Sequence, residues 1–359
     1  MSVFEYIIEL SMFFFLSLAV LYCMRKVGYL IGLVDKPNAR KLHQGVVPLV
    51  GGVSISITVL YFLYVNADEL QHPGIFATCL TLLVIIGVLD DRFDISYKLR
   101  MGIQAILTLV MIHYTGITLS HIGNALGFGT WQFPPYVDIV VTMFAVIGAI
   151  NAFNMVDGID GLLGGLTTVV FASLSIVFYS HGLTKAAYFC VVFIVILIPF
   201  ILFNLGYFGK VRKVFMGDAG SMMIGFTVIW ILIGGTQGDV GHYVIRPVTA
   251  LWLIAVPLID MMAIMIRRIR KGHSPFHPDR EHFHHIMQRI GFTPREALVV
   301  ICVTQIIYSA IGLLGEYFYV PEYVMFYTIV GCFLFHTYWM THSFQMAKIV
   351  RKWKSGVRP

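Results

Sequence analysis

The stretch Asn151-Ala-Phe-Asn-Met-Val-Asp-Gly-Ile-Asp-Gly161 places two amides and two carboxylates between the apolar runs 136–150 and 162–179. The four polar side chains recur at roughly helical spacing, so a helix that enters this loop would present oxygen ligands from one side. They are Asn151, Asn154, Asp157 and, less closely in phase, Asp160. Oxygen-rich, sulfur-free clusters suit hard cations such as Mg2+ or Mn2+. The same residue types also cap and turn helix pairs, and this stretch alone leaves both interpretations open.

The composition predicts a membrane protein. The chain has 359 residues, of which 58% are hydrophobic and 12% charged, whereas soluble domains usually carry about twice that charge. Apolar runs long enough to cross a hydrocarbon core of ~30 Å recur along the whole length. The predicted spans cover 4–22, 47–65, 75–89, 103–119, 136–150, 162–179, 186–203, 222–233, 248–266, 297–314 and 323–340. We therefore expect an all-α, polytopic bundle of about eleven transmembrane helices that forms one domain over residues 1–359.

The basic residues predict the orientation of this bundle. If the first span starts outside, every Lys and Arg except Lys185 and Arg246 falls in an inner loop or in the basic tail 343–359. The positive-inside rule then places the amino terminus outside and the carboxyl terminus in the cytoplasm. The formal charge of +6 is spread among the spans, which favours anionic lipids or phosphate-bearing substrates over nucleic acid.

Acidic residues stand at the inner ends of two further predicted spans. The third span ends in Gly87-Val-Leu-Asp-Asp-Arg-Phe-Asp94, and a helix carboxyl end that carries both Asp90 and Asp91 needs a nearby cation or a shared proton. The eighth span opens with Gly217-Asp-Ala-Gly-Ser221. Asp218 in this segment is either an N-cap or a carboxylate that points toward a phosphate or a metal ion.

The longest inner segment follows the ninth span, which carries Asp260 near its inner end. An intramembrane carboxylate indicates function, although pairing with a neighbouring helix explains it as well. The segment contains a donor-rich group able to bind a diphosphate or sugar hydroxyls, with zinc as the weaker alternative. The group comprises His282, His284 and His285 with Arg280, whereas Arg267 and Arg268, earlier in the segment, suit anchoring at the inner leaflet.

These motifs resemble the polyprenyl-phosphate N-acetylhexosamine-1-phosphate transferase family. The resemblance rests on Asp90-Asp-Arg-Phe-Asp94, Asn151 to Gly161, Phe215-Met-Gly-Asp-Ala-Gly-Ser221 and His282-Phe-His-His285, and extends over nearly the whole chain. It implies a bacterial inner-membrane enzyme, with its active site on the cytoplasmic face, that transfers GlcNAc-1-phosphate from UDP-GlcNAc to undecaprenyl phosphate. It also implies a homodimer, and a product that enters O-antigen or enterobacterial common antigen synthesis. One departure is Phe283, because the similar subgroup usually carries Ile at that place.

The resemblance implies Asp218 as the principal ligand of Mg2+ or Mn2+, with Asn154 as a second ligand. We assign Asp90 and Asp91 to the acceptor phosphate and the metal field, with Asp90 as the base or positioning group. We assign Asp157 and Asp160 to orientation of the diphosphate or nucleotide. The remaining substrate-binding assignments are Asn151, Arg267, Arg268, His282, His284 and His285.

Two other functions compete with this interpretation. An enzyme of the same class could use UDP-MurNAc-pentapeptide as the donor. However, the segment His282-Phe-His-His285, here called the histidine segment, resembles that of the enzymes that use UDP-GlcNAc. A cation or nucleotide-sugar transporter would also combine many spans with acidic residues. Transporters place coupling acids near the bilayer midplane and often show paired repeats. Most acids in this chain lie at one surface and no repeat is visible, so only Asp260 favours transport.

Overall fold

The computed structural model describes residues 3–36, 45–237, 244–275 and 282–342, and these residues are mostly α-helical. The predicted tail 343–359 lies outside the described residues. The helices are α1 (Val3–Ile31), α2 (Gly51–Val65), α3 (Pro73–Phe93), α4 (Tyr97–Thr115), α5 (Val137–Val156), α6 (Leu162–Ser180), α7 (Thr184–Asn204), α8 (Gly217–Thr236), α9 (Pro247–Leu253), α10 (Ala255–Arg270), α11 (Phe283–Arg289), α12 (Pro294–Tyr317) and α13 (Glu322–Thr341). Two short strands, β1 (Val34–Asp35) and β2 (Val47–Pro48), pair antiparallel. The predicted all-α, multi-pass membrane architecture is confirmed at this level.

Each of the eleven predicted spans overlaps a helix or, for the ninth, a helix pair. Among the described residues, eight helices are long and apolar enough to cross a membrane. They are α1, α3, α5, α6, α7, α8, α12 and α13. The pair formed by α9 and α10 would make a ninth span, whereas α2 is apolar but has only 15 residues. The count of eleven and the orientation of the termini stay predictions.

Helix α8 is the centre of the bundle, since 94% of the residues in its apolar stretch are buried. Helices α2, α3 and α5 pack around it. Gly52 of α2 lies against Gly220, and Gly87 of α3 lies against Ala219, so closely that a Cβ on either glycine would overlap the backbone of α8. Small residues permit such contact between helices in a membrane. The close approach fixes the first turn of α8, which carries Asp218, against α2 and α3.

The segment before α8 is also paired with the start of α2. The backbone N–H of Gly51 donates to the carbonyl of Phe215 at 3.0 Å, and that of Gly52 donates to Met216 at 2.9 Å. The N–H of Phe215 donates in turn to the carbonyl of Pro48 at 2.9 Å. This close backbone approach of Gly51 and Gly52 holds the entrance to α8 from a second side.

The ninth predicted span is broken. Helices α9 and α10 are bent by 83° at Ile254, so the predicted span over 248–266 is a bent helix pair instead of one straight helix. Gln305 of α12 satisfies the backbone on both sides of the break. Its Oε1 accepts from the N–H of Val256 at 2.9 Å, and its Nε2 donates to the carbonyl of Leu253 at 2.9 Å. Unpaired backbone groups are costly inside a membrane, and the fully buried Gln305 removes that cost.

Candidate active site

A cavity of about 320 Å³ opens where α4, α5 and α10 meet the segment that carries the histidines. It is lined by Tyr97, Arg100, Met101, Asn151, Asn154, Met155, Asp157, Gly158, Met261, Met265, Arg268, Pro275, His282, His284 and His285. We call this cavity the pocket. It brings the polar end of α5 and the histidine segment, which are more than 120 residues apart in sequence, into one site.

Asn154 and Asp218 form a direct pair beside the pocket. The Nδ2 atom of Asn154, in the last turn of α5, donates to Oδ1 of Asp218 at 2.5 Å and to the hydroxyl of Ser221 at 2.8 Å. Asp218 lies in the first turn of α8, and its side chain is 36% exposed. The two residues assigned to the metal are therefore adjacent, and the carboxylate is open to a ligand.

Asp91 holds the first turn of α8. Its carboxylate accepts from the backbone N–H of Asp218 at 2.9 Å and from that of Ala219 at 3.4 Å. A carboxylate at this position satisfies free N–H groups and complements the positive end of the helix dipole. Gly217 has a φ of +75° and leaves the space that Asp91 occupies. Asp91 is therefore placed to position Asp218, and it does not line the pocket.

Arg100 connects the two other carboxylates. Its Nη1 lies 2.5 Å from Oδ2 of the buried Asp90 and 3.7 Å from Oδ2 of Asp218. Asp90 needed a nearby cation because of its place at a helix carboxyl end, and Arg100 supplies it. Arg100 also lines the pocket, and its Nε is buried without a hydrogen-bond partner in the described part of the chain.

The four polar residues of the central stretch do not all face one side, as the helical spacing had suggested. Helix α5 ends at Val156, and the chain then turns. Asn151 lines the pocket, but its amide nitrogen donates to Gln104 at 3.1 Å and to the carbonyl of Ile147 at 2.7 Å. Asp160 forms an ion pair with Lys213 and is not part of the pocket wall.

Asp157 follows the last turn of α5 and lines the pocket. The residue is exposed at the wall of the pocket. Desolvation, followed by the charges of Asp218 and Asp160, raises the pKa of Asp157 to about 7 from 3.8. This carboxyl group therefore changes its charge near neutral pH and would be held ionised by a cation.

The histidine segment is anchored from below by Asp260 of α10. The carboxylate accepts from the backbone N–H of Phe283 at 2.9 Å and lies 3.3 Å from Nδ1 of His282. The pairing of Asp260 with a neighbouring element, one of the two alternatives from sequence, is the arrangement found. Phe283 packs edge-on against the rings of His336 and Trp339 in α13, at 4.8 Å and 5.6 Å between centroids. The departure from Ile at this position is thus accommodated by aromatic contacts.

His284 is buried between the histidine segment and the loop after α5. Its ring is parallel to that of His282, with 5.7 Å between centroids. Its Nε2 lies so close to Gly158 that a Cβ there would overlap it. Desolvation, followed by the charges of His285 and His282, lowers the pKa of His284 to about 3. His284 is therefore neutral at physiological pH, and its Nε2 has no hydrogen-bond partner in the described residues.

The two arginines at the end of α10 separate. Arg268 is buried, lines the pocket and donates through Nη1 to the carbonyl of Pro275 at 2.7 Å. Arg267 is partly buried and does not contribute to the pocket wall. The structure thus brings Arg268 into the site with the histidines and leaves Arg267 at its margin.

No three side chains from His, Cys, Asp and Glu in the described residues lie close enough together to hold a metal ion alone. The donors that are present fit Mg2+ in a different way. Asp218 offers an accessible carboxylate and Asn154 an adjacent amide, and Mg2+ commonly uses one or two protein ligands together with substrate phosphates.

The pairing of Arg100 with Asp90 and that of Lys213 with Asp160 were not predicted from the sequence. A signal for Arg100 was present, because only Asp94, Ile95 and Ser96 separate α3 from α4. A connection this short places the first turn of α4 beside the last turn of α3, and Arg100 therefore beside Asp90. No comparable signal links Lys213 to Asp160, which are 53 residues apart.

Comparison with known proteins gives the family. The family described as "Glycosyl transferase family 4" matches residues 73–236, which include Asp90, Asn154 and Asp218. Curated relatives are named "Undecaprenyl-phosphate alpha-N-acetylglucosaminyl 1-phosphate transferase". The protein of that name from Yersinia pestis is 48% identical over 353 residues, which cover 98% of this chain and 95% of the relative. Those from Escherichia coli and Haemophilus influenzae are each 47% identical, over 97% and 95% of this chain and 94% of each relative.

Each match covers nearly the whole of this chain and of the relative. The chain belongs to glycosyl transferase family 4, the family of polyprenyl-phosphate N-acetylhexosamine-1-phosphate transferases that its motifs resemble.

Proposed function

We propose that the protein transfers GlcNAc-1-phosphate from UDP-GlcNAc to undecaprenyl phosphate, giving undecaprenyl-diphosphate-GlcNAc and UMP. The main support is the Asp218–Asn154 pair beside a pocket whose other wall carries Arg268 and the three histidines. One wall suits a cation that neutralises phosphates, and the other suits a sugar and its diphosphate. The names of the relatives agree with this division.

In the proposed reaction, an oxygen of the lipid phosphate bonds to the phosphorus that carries the sugar. The bond from that phosphorus to the oxygen of UMP breaks, and UMP leaves. Direct attack and a two-step route through an aspartyl phosphate both satisfy this balance. Labelled sugar phosphate that stays on the protein without the lipid acceptor would support the two-step route.

Each residue of the site has a part in this proposal. Asp218 and Asn154 would hold Mg2+ or Mn2+, which would neutralise charge on the diphosphate as the leaving group departs. Asp90 would act on the acceptor phosphate as a base or positioning group. Arg100 would supply the positive charge that pairs with Asp90. Asp157 would share the metal field, and Asp91 acts by holding α8. Asp160 is proposed to fix the loop after α5 through Lys213.

Arg268, Asn151, His282, His284 and His285 would bind the sugar and phosphates from the opposite wall. Arg267 would contribute its charge from the margin of the pocket. Phosphoryl transfer depends mainly on positioning and charge neutralisation, and this division of labour supplies both.

We place the enzyme in the bacterial inner membrane, with the amino terminus periplasmic and the pocket and carboxyl terminus cytoplasmic. The distribution of Lys and Arg supports this orientation. We also propose the homodimer and the entry of the product into O-antigen or enterobacterial common antigen synthesis, both on the family resemblance.

The test is UMP release by purified protein in detergent with UDP-GlcNAc, undecaprenyl phosphate and Mg2+. We expect UMP only when all three are present, and EDTA should abolish it. UDP-MurNAc-pentapeptide is supplied in parallel as the donor control. UMP from the peptide donor alone would overturn the proposed substrate, and no UMP from either donor with folded protein would overturn the reaction and favour transport.

A further inference from the structure

We propose that Asp260 is a positioning residue that sets the tautomer of His282, so that His282 presents a hydrogen-bond acceptor to the sugar of the donor. This inference rests on the proposed function and assigns a task to Asp260, which the function does not otherwise use. Its basis is the junction of α10, α11 and α13 below the pocket.

The buried carboxylate of Asp260 has partners on both of its oxygens. Its side chain is 1% exposed, and it accepts from the backbone N–H of Phe283 through Oδ1 at 2.9 Å. Its Oδ2 lies 3.3 Å from Nδ1 of His282. An ionised carboxylate only accepts hydrogen bonds, so Nδ1 carries a proton and is the donor in this contact.

The Nε2 atom of His282 faces the ligand. Whenever the imidazole is neutral, the proton on Nδ1 leaves a lone pair on Nε2. Nε2 of His282 has no hydrogen-bond partner among the described residues, and His282 lines the pocket. The ring therefore offers an acceptor to the ligand. The matching group on UDP-GlcNAc is a sugar hydroxyl or the N–H of the acetamido group.

Neighbouring aromatic rings hold this arrangement in place. The ring of His284 lies parallel to that of His282, with an interplanar angle of 5°. Phe283, between them in sequence, is held by the rings of His336 and Trp339. His336 also places Nε2 3.9 Å from Oδ1 of Asp260. Asp260 is thus held between the start of α11 and the helix α13, with His282 beside one carboxylate oxygen and His336 near the other.

The exchange Asp260→Asn separates positioning from packing, because it retains the shape and the Oδ1 acceptor for Phe283. The new amide would donate to Nδ1 of His282, which moves the proton to Nε2 and converts the acceptor in the pocket into a donor. Changes in groups that orient a functional histidine typically cost about 10- to 100-fold. We expect the KM for UDP-GlcNAc to rise by about that factor, and the KM for undecaprenyl phosphate to change less than about twofold.

A double-mutant cycle tests whether Asp260 acts through His282. His282→Ala should also raise the KM for UDP-GlcNAc, and the double variant should be no worse than His282→Ala alone. Glu316→Gln is the matched control, since it removes another buried carboxylate partner, that of Arg246, away from the pocket. It should lower thermal stability without changing either KM. Additive losses, or equal rises in both KM values, would overturn the inference.

Modification by diethyl pyrocarbonate gives a readout that does not depend on the reaction. The reagent transfers an ethoxycarbonyl group to the unprotonated nitrogen of a neutral imidazole, and peptide mass spectrometry locates it. At about pH 8, His282 of the wild-type protein should be modified through Nε2. Asp260→Asn should slow this by about tenfold, while His342 on α13 reacts at the same rate in both proteins.

The two readouts separate the failure of the inference from the failure of the proposed function. Wild-type His282 that stays unmodified while His342 reacts, or an unchanged rate in Asp260→Asn, would overturn the tautomer. If the tautomer is confirmed but the wild-type protein releases no UMP from UDP-GlcNAc, the proposed function fails, and with it the assignment of the acceptor to the donor sugar.

Discussion

Nη1 of Arg100 lies 3.7 Å from Oδ2 of Asp218, so a fixed cation stands beside the carboxylate that we assign to the metal ion. The same nitrogen lies 2.5 Å from Asp90. Arg100 therefore lowers the negative charge that a divalent cation would meet before the substrates arrive. When phosphates enter the pocket, the guanidinium could pair with them instead of with Asp218, and the Asp218 carboxylate would then be available to the metal ion.

From this relationship we predict that Arg100→Gln binds the metal more tightly and turns over more slowly. Loss of the guanidinium leaves Asp90 and Asp218 without a counter-charge, which should lower the Kd for Mn2+ about tenfold. Titration of free Mn2+ by electron paramagnetic resonance measures this without substrate. Arg92→Gln is the control, because Arg92 donates to the carbonyl of Ile31 instead of to the site. Weaker Mn2+ binding by Arg100→Gln would contradict this account.

Asp157 should make the metal requirement depend on pH. Its pKa is raised from 3.8 to about 7, so the folded protein retains this proton where the unfolded chain has lost it. The resulting contribution to stability is present at low pH and is lost as pH rises through about 7. Conversely, the negative charge of Asp157, which would attract the metal ion, is lost as the pH falls through the same value.

We therefore expect the Mg2+ concentration for half-maximal activity to rise about tenfold between about pH 8 and pH 6. Asp157→Asn should flatten this dependence, whereas Asp94→Asn, at the end of α3, should retain it. An identical pH profile for the wild-type protein and Asp157→Asn would remove Asp157 from the metal field.

His284 should destabilise the protein in acid. Its pKa is lowered from 6.5 to about 3, so between these values the unfolded chain binds a proton that the folded protein does not. Stability contributed by neutral His284 is present above about pH 6.5 and is lost as pH falls, by about 1 kcal/mol at pH 5.5. Thermal unfolding in detergent should show that His284→Gln loses less stability than the wild-type protein over this range. An equal loss in both proteins would show that His284 is not the titrating group.

Phe283 should stabilise the histidine segment more than the Ile of similar enzymes would in this setting. Its edge-on contacts with His336 and Trp339 are each worth about 0.5–1.5 kcal/mol beyond burial. Phe283→Ile should therefore lower the unfolding temperature measurably and raise the KM for UDP-GlcNAc by a smaller factor than His282→Ala. A variant as stable as the wild-type protein would mean that these ring contacts contribute little.

The sequence predicted the helices well, because an apolar run of membrane length has one main structural solution. It did not predict the break at Ile254, since the residue that stabilises the break is Gln305, which lies in another helix. Pro257 was visible, but it stands inside α10 and not at the bend. Satisfaction of a buried backbone by a distant side chain leaves no local pattern.

The sequence predicted only part of the candidate site, because contacts between distant side chains leave no local pattern. Residue types and their inner-face location indicated that Asn154, Asp218 and the histidines belong together, and the structure places them around one pocket. The sequence did not show that Asp91 caps α8 or that Asp160 pairs with Lys213. Those contacts depend on which helices are neighbours, and nothing in the spacing of the motifs gives that order.

The most direct test of the central claim compares wild-type protein with Asp218→Asn in the UMP-release assay, with the lipid product identified by mass spectrometry. We predict undecaprenyl-diphosphate-GlcNAc and an equal amount of UMP from the wild-type protein. Asp218→Asn should lose at least about 100-fold in turnover and should remain folded by its unfolding temperature. Near-normal turnover in Asp218→Asn, or UMP without the lipid product, would contradict the account.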